Sequence, residues 1–316
     1  VASRAGRVGV PAAARRAASL PAGTLREVAR GRGLVVVDRA DPGYPRRLAE
    51  LPDGPDVLFL RGSLPSDVPA VAIVGTRRCT GYGTGLARRF AAAIAQAGWC
   101  VVSGLARGID GAAHEGSLEG AALGTASGPG IAVLGSGADV CYPPEHRRLA
   151  DRLVGGGGAI VSEYPPGARP LGWRFPPRNR IIAGLAEAVV VVESAERGGA
   201  LVTAAAGAEL GRSVFAVPGD VDRSASRGCN LLIRDGAAPV LDPDDLLEAL
   251  SLVGPPVRER SDPLETAILG AVRTPMALDV LVDRVGGDPA VVMATVTRLE
   301  IEGVVRRDGS GAVVGR

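Results

Sequence analysis

Residues 71–85 have the sequence VAIVGTRRCTGYGTG, and this stretch indicates the fold of the larger part of the chain. Four apolar residues precede Gly75, a turn rich in glycine follows, and a helical pattern runs from about Gly85 to Ala97. A short, continuous apolar run before such a turn is typical of a strand that is buried on both faces of a parallel sheet.

The same unit of strand, turn and helix recurs along the chain. Short apolar runs predict further strands at residues 100–103, 131–134, 159–162, 188–193 and 213–217. Buried strands that alternate with helices predict a doubly wound, mostly parallel α/β sheet. Ligands of such sheets bind outside the carboxyl ends of the strands, so the loops that follow the strands are the expected functional positions.

Composition divides the 316 residues into four segments. Residues 1–70 predict a fragmentary helical segment and an extended, proline-rich lead-in, and residues 71–250 hold the α/β sheet. Residues 251–261 combine a Gly-Pro-Pro sequence with alternating charges, which is typical of a linker. In residues 262–316, three helical stretches precede two short strands, and this pattern predicts a small winged-helix domain.

The composition argues against several classes of enzyme. All 36 basic side chains are arginine, so the lysine of a Walker-A loop, of a protein kinase or of a Schiff-base enzyme is absent. The sequence also contains no G-x-S-x-G elbow, which leaves a serine hydrolase with little support.

Cysteine spacing and hydropathy bear on cofactors and location. The four cysteines form no C-x-x-C pair and have no histidine at ligand spacing, so neither a disulfide scaffold nor a zinc site is predicted, and no cofactor is expected. No apolar run approaches the ~20 residues of a membrane helix, and no clear signal peptide is present. A cytoplasmic protein without a membrane partner is therefore expected. The cysteines are Cys79, Cys100, Cys141 and Cys229.

The net charge of +2 is spread unevenly. Residues 71–250 carry 17 arginines against 18 acidic residues, and residues 262–316 carry six against eight. The chain thus lacks the basic excess that marks many nucleic-acid-binding proteins, and any anion site must be a local cluster.

The loop after the first predicted strand favours an anion. Backbone N–H groups at the helix start within Gly81–Gly85, with Arg77 alongside, would hold a phosphate. The strict G-x-G-x-x-G pattern does not occur here, so a dinucleotide fingerprint is not supported. The alternative is a plain turn between strand and helix with surface arginines.

The loop after the second predicted strand contains two glycines and leads to a histidine. Gly104 and Gly108 allow close backbone approach, and Asp110 fits an N-cap of the helix that carries His114. A single histidine on such a helix is more typical of a core or capping residue than of a catalyst.

Residues 164–180, with the sequence YPPGARPLGWRFPPRNR, are the most informative loop. Trp173 and Phe175 flank Arg174 in a chain with only 3% aromatic residues. Arginines with interleaved aromatic rings fit a single-stranded nucleic acid, whose phosphates pair with arginine and whose bases stack. The alternative is that the two rings anchor the loop to the core. Gly198-Gly199, at a later helix start, predicts a second anion site.

These loops resemble those of the DprA/Smf family (DNA-processing protein A). The resemblance covers about residues 71–250, extends into the lead-in at Tyr44–Gly62, and includes the winged-helix tail. It implies an extended Rossmann-like fold without catalytic residues that binds single-stranded DNA, forms a homodimer and loads RecA recombinase onto incoming DNA during natural transformation. The stretches are VAIVGTRR, VVSGLARGIDGAAH, IAVLGSGADVCYPPEH, VSEYPPG, FPPRNRIIAGL, VVVESAERGGALVTA, VFAVPGD and SRGCNLLIRDGA.

The resemblance also implies a set of DNA-binding residues. Some family members carry a lysine in the run before Phe175, and here Arg174 takes that place. The expected site residues are Gly75, Thr76, Arg77, Gly83, Gly104, Arg107, Gly108, Arg174, Phe175, Arg178, Asn179, Arg180, Gly198, Gly199 and Thr203.

The predicted winged helix carries little positive charge where it would contact DNA. The predicted recognition helix of the tail, which begins near Pro289, has Arg298 as its only basic residue, so a protein contact or an autoinhibitory role is predicted for the winged helix.

The alternative functions are a nucleotide-binding Rossmann protein and a phosphoribohydrolase-like enzyme. Such enzymes carry a catalytic glutamate after the Gly-rich turn, where this chain has Ala204–Ala206.

Overall fold

The computed structural model describes most of the chain and divides it into two compact units, Val1–Val257 and Arg258–Arg316. The predicted fragmentary segment falls in part, and the predicted linker in large part, outside the described residues. Those described are 22–64, 68–123, 130–253, 263–272, 275–286, 288–301, 305–307 and 312–315.

The larger unit is built on one sheet of nine strands. In chain order they are β1 (Val35–Asp38), β2 (Val57–Gly62), β3 (Ala70–Val74), β4 (Cys100–Ser103), β5 (Ile131–Val133), β6 (Ala159–Ser162), β7 (Ala188–Val191), β8 (Ser213–Ala216) and β9 (Ala238–Pro239). The helices are α1 (Ala22–Arg30), α2 (Arg46–Ala49), α3 (Gly81–Gln96), α4 (Ile109–Leu123), α5 (Arg147–Gly155), α6 (Phe175–Leu185), α7 (Ala200–Glu209), α8 (Arg227–Arg234) and α9 (Pro243–Val253), with 3₁₀ turns at Pro144–His146 and Gly172–Arg174.

The strand order is β1-β2-β6-β5-β4-β3-β7-β8-β9, and all neighbours from β6 to β9 are parallel. The predicted doubly wound, mostly parallel α/β fold is confirmed. The chain runs outward from β3 to β6 on one side and then returns to place β7 on the other side of β3. The helices that follow β3 and β7 therefore pack on opposite faces of the sheet.

The central strand shows why the sheet carries helices on both faces. Every residue of β3 is buried. Val71 and Ile73 pack into a core with Phe90 of α3, whereas Ala72 and Val74 belong to the core that contains Ile181 of α6. A continuous apolar run is therefore required, because successive side chains point to opposite faces and both faces are covered.

The lead-in is part of this sheet. β1 pairs with β2 and β2 pairs with β6, both antiparallel. Phe59 is buried in one core, whereas Leu58 and Leu60 are buried in another. The sequence predicts an extended segment here, but the pairing with a strand about a hundred residues later depends on the tertiary fold.

The smaller unit contains α10 (Pro263–Ala271), α11 (Leu278–Val285), α12 (Pro289–Ile301) and an antiparallel pair, β10 (Val305–Arg307) with β11 (Val313–Gly315). Three helices followed by a two-stranded sheet have the order of a winged helix. Its core includes Ile268, Leu281, Val296 and Val313.

Among the described residues, no helix combines the length and the apolar character that a membrane crossing requires.

Candidate functional site

A cavity of about 540 Å³ opens at the carboxyl ends of the central strands, where the strand order reverses. The loops that follow β3, β4, β5, β6 and β7 and the starts of α4, α6 and α7 contribute to its wall. The lining residues are Val74, Gly75, Thr76, Arg77, Arg78, Ala106, Asp110, Tyr142, Pro170, Gly172, Phe175, Pro176, Arg178, Asn179, Ile182, Gly198, Gly199, Ala200, Val202 and Thr203.

Arg77 is the cation that this cavity offers to a ligand. Its guanidinium lies over the Phe175 ring, 5.2 Å from the ring centroid. Among the described residues, no carboxylate lies within ion-pair distance of it. Its charge is therefore available to an anion, while the cation–π contact holds the side chain beside the cavity.

Arg178 forms the floor rather than the entrance. The side chain is only 4% exposed and donates to the carbonyl oxygens of Gly104, at 2.8 Å, and of Val133. Burial lowers the pKa of Arg178 to about 10, and nearby Asp110 opposes this shift, so the guanidinium stays charged at neutral pH. Burial likewise raises the pKa of the Asp110 carboxyl against the opposing effect of Arg178.

Packing inside the protein explains why residue 104 is a glycine, rather than the predicted contact with a ligand. A Cβ there would lie 2.6 Å from both terminal nitrogens of Arg178. Gly104 therefore makes room for the buried guanidinium, and it lies outside the lining of the cavity.

The aromatic residues of the long loop divide between two places. Phe175 lines the cavity with Tyr142, whose ring centroid is 5.6 Å away. Trp173 is 55% exposed, so it does not anchor the loop to the core. Arg174 lies near both the Trp173 ring and the Tyr164 ring, at 5.0 and 4.7 Å, outside the cavity lining.

The wall opposite Arg77 is the N-terminus of α7. Gly198, Gly199 and Thr203 all line the cavity. A Cβ on Gly199 would meet no atom within 4 Å, so the backbone there is open, and Asn179 donates to its carbonyl oxygen at 3.5 Å. An open helix N-terminus beside an available arginine is suited to a phosphate.

The N-terminus of α3 differs from the prediction. The helix begins at Gly81 because Thr80 caps it, with the Thr80 hydroxyl accepting from Gly83 N at 3.0 Å. The carboxylate of Glu193 lies against Gly83, where a Cβ would overlap it. Gly83 is therefore not positioned to bind an external phosphate, because a buried carboxylate of the same chain occupies that place.

Arg180 and Arg107 also lie away from the cavity. Arg180 is 7% exposed and pairs with Glu163 at 2.8 Å and Asp53 at 3.3 Å, which links α6 to the lead-in. Arg107 is exposed and pairs with Glu145. Both residues belong to the predicted site set, and neither lines the cavity.

Gly108 packs closely against the backbone of the loop that carries Arg77. It has a positive φ of 76°, and a Cβ there would overlap the Thr76 carbonyl oxygen. Its role is to let two loop backbones approach closely.

Among the lining residues with polar side chains, the predicted site set lacks three: Arg78, Asp110 and Tyr142. Arg78 could have been found from its place directly after Arg77. The sequence assigned Asp110 to a helix cap, but it is buried near Arg178. No local signal brings Tyr142 to Phe175.

Comparison with protein-family models gives two matches. The model described as DNA recombination-mediator protein A matches residues 35–251, and the model described as DprA winged helix domain matches residues 254–311.

Curated relatives support the same assignment. Protein Smf of Escherichia coli is 37% identical over 284 residues, which cover 85% of this chain and 74% of that protein. DNA processing protein DprA of Streptococcus pneumoniae is 42% identical over 66% of this chain and 71% of its own length. Protein Smf of Synechocystis is 42% identical, and here the chain spans about half of the relative, 53%.

Two solved structures are similar. The DNA processing protein A structure from Streptococcus pneumoniae has a TM-score of 0.64 and 38% identity, and covers 74% of this chain and 80% of that one. The structure of DNA processing protein A from Helicobacter pylori, described for its single-stranded DNA binding mode, shares the fold with a TM-score of 0.59 and 24% identity, over 69% of this chain and 95% of that one.

His114 lies behind the cavity wall and is fully buried. Burial lowers its pKa to about 3, and the positive charge of Arg178 and the neighbouring His146 act in the same direction. The imidazole is therefore neutral at physiological pH. This position matches the core interpretation of His114 and gives it no access to a ligand in the cavity.

His114 should make the fold sensitive to acid. In the unfolded chain its pKa is near 6.5, so the unfolded state binds a proton as the pH falls below that value while the folded state does not. At pH 5 this linkage removes ~2 kcal/mol of stability relative to pH 7. We expect His114→Leu to reduce the loss between pH 7 and 5 by that amount in urea unfolding at constant ionic strength. Equal losses in both proteins would contradict the burial argument.

Proposed function

The chain belongs to the DNA recombination-mediator protein A family, and we propose that it binds single-stranded DNA in this cavity and delivers it to RecA recombinase. The observation that carries the proposal is that Arg77, which forms no ion pair among the described residues, lies over the Phe175 ring in the same cavity as the open N-terminus of α7. A phosphate and a nucleobase need these two kinds of partner side by side.

The phosphate part of the proposal rests on three groups. Arg77 supplies the available charge, the backbone at Gly198-Gly199 supplies donors at a helix N-terminus, and Arg178 supplies a fixed positive floor. A helix N-terminus and an arginine act together on an anion because the helix dipole and the cation have the same sign there.

The base part rests on the aromatic residues. Phe175 and Tyr142 give the cavity an apolar wall, and Trp173 presents an exposed ring just outside it. Stacking on such rings is tolerant of sequence because every base has a π face. A narrow cavity with aromatic walls suits unpaired bases, whereas the bases of a duplex are already stacked on each other.

The alternative functions receive less support. The first turn of α7 contains no acidic residue, and Ala204 and Ala205 are buried at the positions where a phosphoribohydrolase would need its carboxylate. The N-terminus of α3, the phosphate site of a dinucleotide-binding fold, holds Glu193. We therefore propose a non-catalytic protein, and competition of mononucleotides with oligonucleotides for the cavity is the test that separates it from a nucleotide sensor.

Delivery to RecA, homodimer formation, a role in natural transformation and a cytoplasmic location are further parts of the proposal. They are supported by membership in a family of recombination mediators, since a mediator has to contact the recombinase that receives its DNA. We propose a protein contact for the winged helix, because α12 exposes Val291 and Met293 and the segment carries a net negative charge.

Arg77→Ala should weaken binding to a labelled dT oligomer by ~10-fold, because a charge-assisted hydrogen bond to phosphate is lost. The slope of log K against log salt should also shrink by about 0.7, the value for one phosphate on a single strand. Fluorescence anisotropy between 50 and 200 mM salt measures both. Arg46→Ala, an exposed arginine near the amino ends of the strands, is the matched control. An unchanged slope in Arg77→Ala would remove Arg77 from the phosphate contacts.

Phe175→Ala should cost roughly 1–3 kcal/mol of binding free energy, the usual value for one stacked base. The same oligomer and method apply. Tyr82→Ala removes a ring that is 57% exposed on α3, outside the cavity, and should leave the affinity as it is. If both variants bind like the wild type, bases do not stack in this cavity.

Delivery to RecA can be followed by the ATPase activity of RecA on single-stranded DNA coated with single-strand-binding protein. We expect the wild-type chain to shorten the lag before ATP hydrolysis, and Arg77→Ala to restore much of the lag. A chain that binds DNA tightly and leaves the lag unchanged would show DNA binding without delivery.

A further inference from the structure

Glu193 is a buried acidic residue that makes none of the proposed DNA contacts. It follows directly after Val192 beyond the end of β7, and it is 3% exposed. No arginine of the described residues forms an ion pair with it. A buried carboxylate without a cation needs several hydrogen-bond donors to remain charged, so its contacts indicate what it does.

All of the donors come from the loop that carries Arg77. The backbone carbonyl of Glu193 accepts from Thr76 N at 2.7 Å. Its carboxylate accepts from Thr80 N at 2.8 Å and from the Thr80 hydroxyl at 2.6 Å. One residue therefore holds both ends of the segment 76–80, in which Arg77 and Arg78 are the two charged members.

The carboxylate also occupies the position of a bound anion. It lies at the N-terminus of α3, beside Gly83, where the helix dipole stabilises negative charge. In dinucleotide-binding folds this position after the first strand holds a phosphate of the ligand. Here the carboxylate belongs to the protein itself, so its hydrogen bonds hold the loop before any ligand arrives.

We propose that Glu193 is a positioning residue for DNA binding, an internal anion at the N-terminus of α3 that fixes the 76–80 segment and thereby holds Arg77 over Phe175. The inference rests on the proposed function, because Arg77 matters only where it meets a phosphate. It adds that the affinity contributed by Arg77 depends on a residue that never touches DNA.

The test uses the full chain and the same dT oligomer. Glu193→Ala should lower the affinity ~10-fold and shrink the salt slope by about 0.7, as loss of Arg77 itself would. Glu193→Gln keeps an acceptor for Thr80 N and should restore most of the affinity and of the slope. Arg77→Ala added to Glu193→Ala should cause little further loss, because the two changes remove the same contact.

The matched control is Glu187→Ala. Glu187 is a partly buried glutamate at the other end of β7, and its side chain is 7% exposed and paired with Arg47. Its loss should lower the melting temperature and leave the salt slope unchanged. Thr80→Ala removes the hydroxyl contact with Glu193, and with it the hydroxyl cap on Gly83 N, but keeps the contact of Thr80 N. It gives a milder form of the test, with a smaller change of slope in the same direction, should Glu193→Ala not fold.

Two results would overturn the inference. In the first, Glu193→Ala lowers the melting temperature as Glu187→Ala does, while affinity and slope stay at wild-type values. In the second, Arg77→Ala still removes its full contribution in the Glu193→Ala background. If Arg77→Ala alone has no effect in the wild-type chain, the proposed DNA site fails, and the role of Glu193 fails with it.

Discussion

The reversal of strand order beside β3 is the constraint on which the rest of the larger unit depends. Because β4 and β7 flank β3, the helices that follow them leave the sheet on opposite faces, and their loops cannot close over the end of β3. The cavity is the space that remains. Its walls are backbone turns and helix starts, which present N–H donors, and its acidic lining residue, Asp110, is buried near Arg178. The place is therefore suited to an anion even in a segment with almost no net charge.

Burial decides which arginines remain available in that place. Arg178 and Arg180 stand two residues apart on α6, about 200° around the helix axis, so they cannot both face the cavity. Arg178 faces it and becomes the floor, whereas Arg180 turns to Glu163 and becomes a structural link. Arg77, which forms no ion pair among the described residues, comes from the loop after β3. A cluster of arginines in sequence is thus divided into separate tasks by helix geometry.

Much of this architecture could be predicted from the sequence. Strands β3 to β8 could be predicted because each is a short apolar run, and β3 to β7 are buried throughout, whereas the exposed two-residue strand β9 was not predicted. The loops that line the cavity could be predicted because ligands of such sheets bind at strand ends. The start of α3 and the contact of Gly83 with a carboxylate could not be predicted in the same way. They depend on Glu193, which is 113 residues from Thr80, and nothing local to the glycine-rich turn shows that its anion is already present. The same holds for Gly104, where a glycine is needed because the guanidinium of Arg178, 74 residues later, packs against it.

The internal carboxylate also bears on the kind of ligand the fold can accept. In a nucleotide-binding sheet, the helix after the first strand is left open for phosphate, and binding energy is used to order the loop around it. Here the Glu193 carboxylate occupies the N-terminus of that helix. The open N-terminus belongs to α7, which follows β7 on the other side of β3. The groups that the cavity leaves for an anion are Arg77 and the N-terminus of α7, with Phe175 beside Arg77 and the exposed Trp173 outside the lining. A ligand that combines one or two phosphates with bases extending beyond the cavity satisfies this layout better than a compact mononucleotide, because only a strand reaches the ring outside the pocket as well as the cation within it.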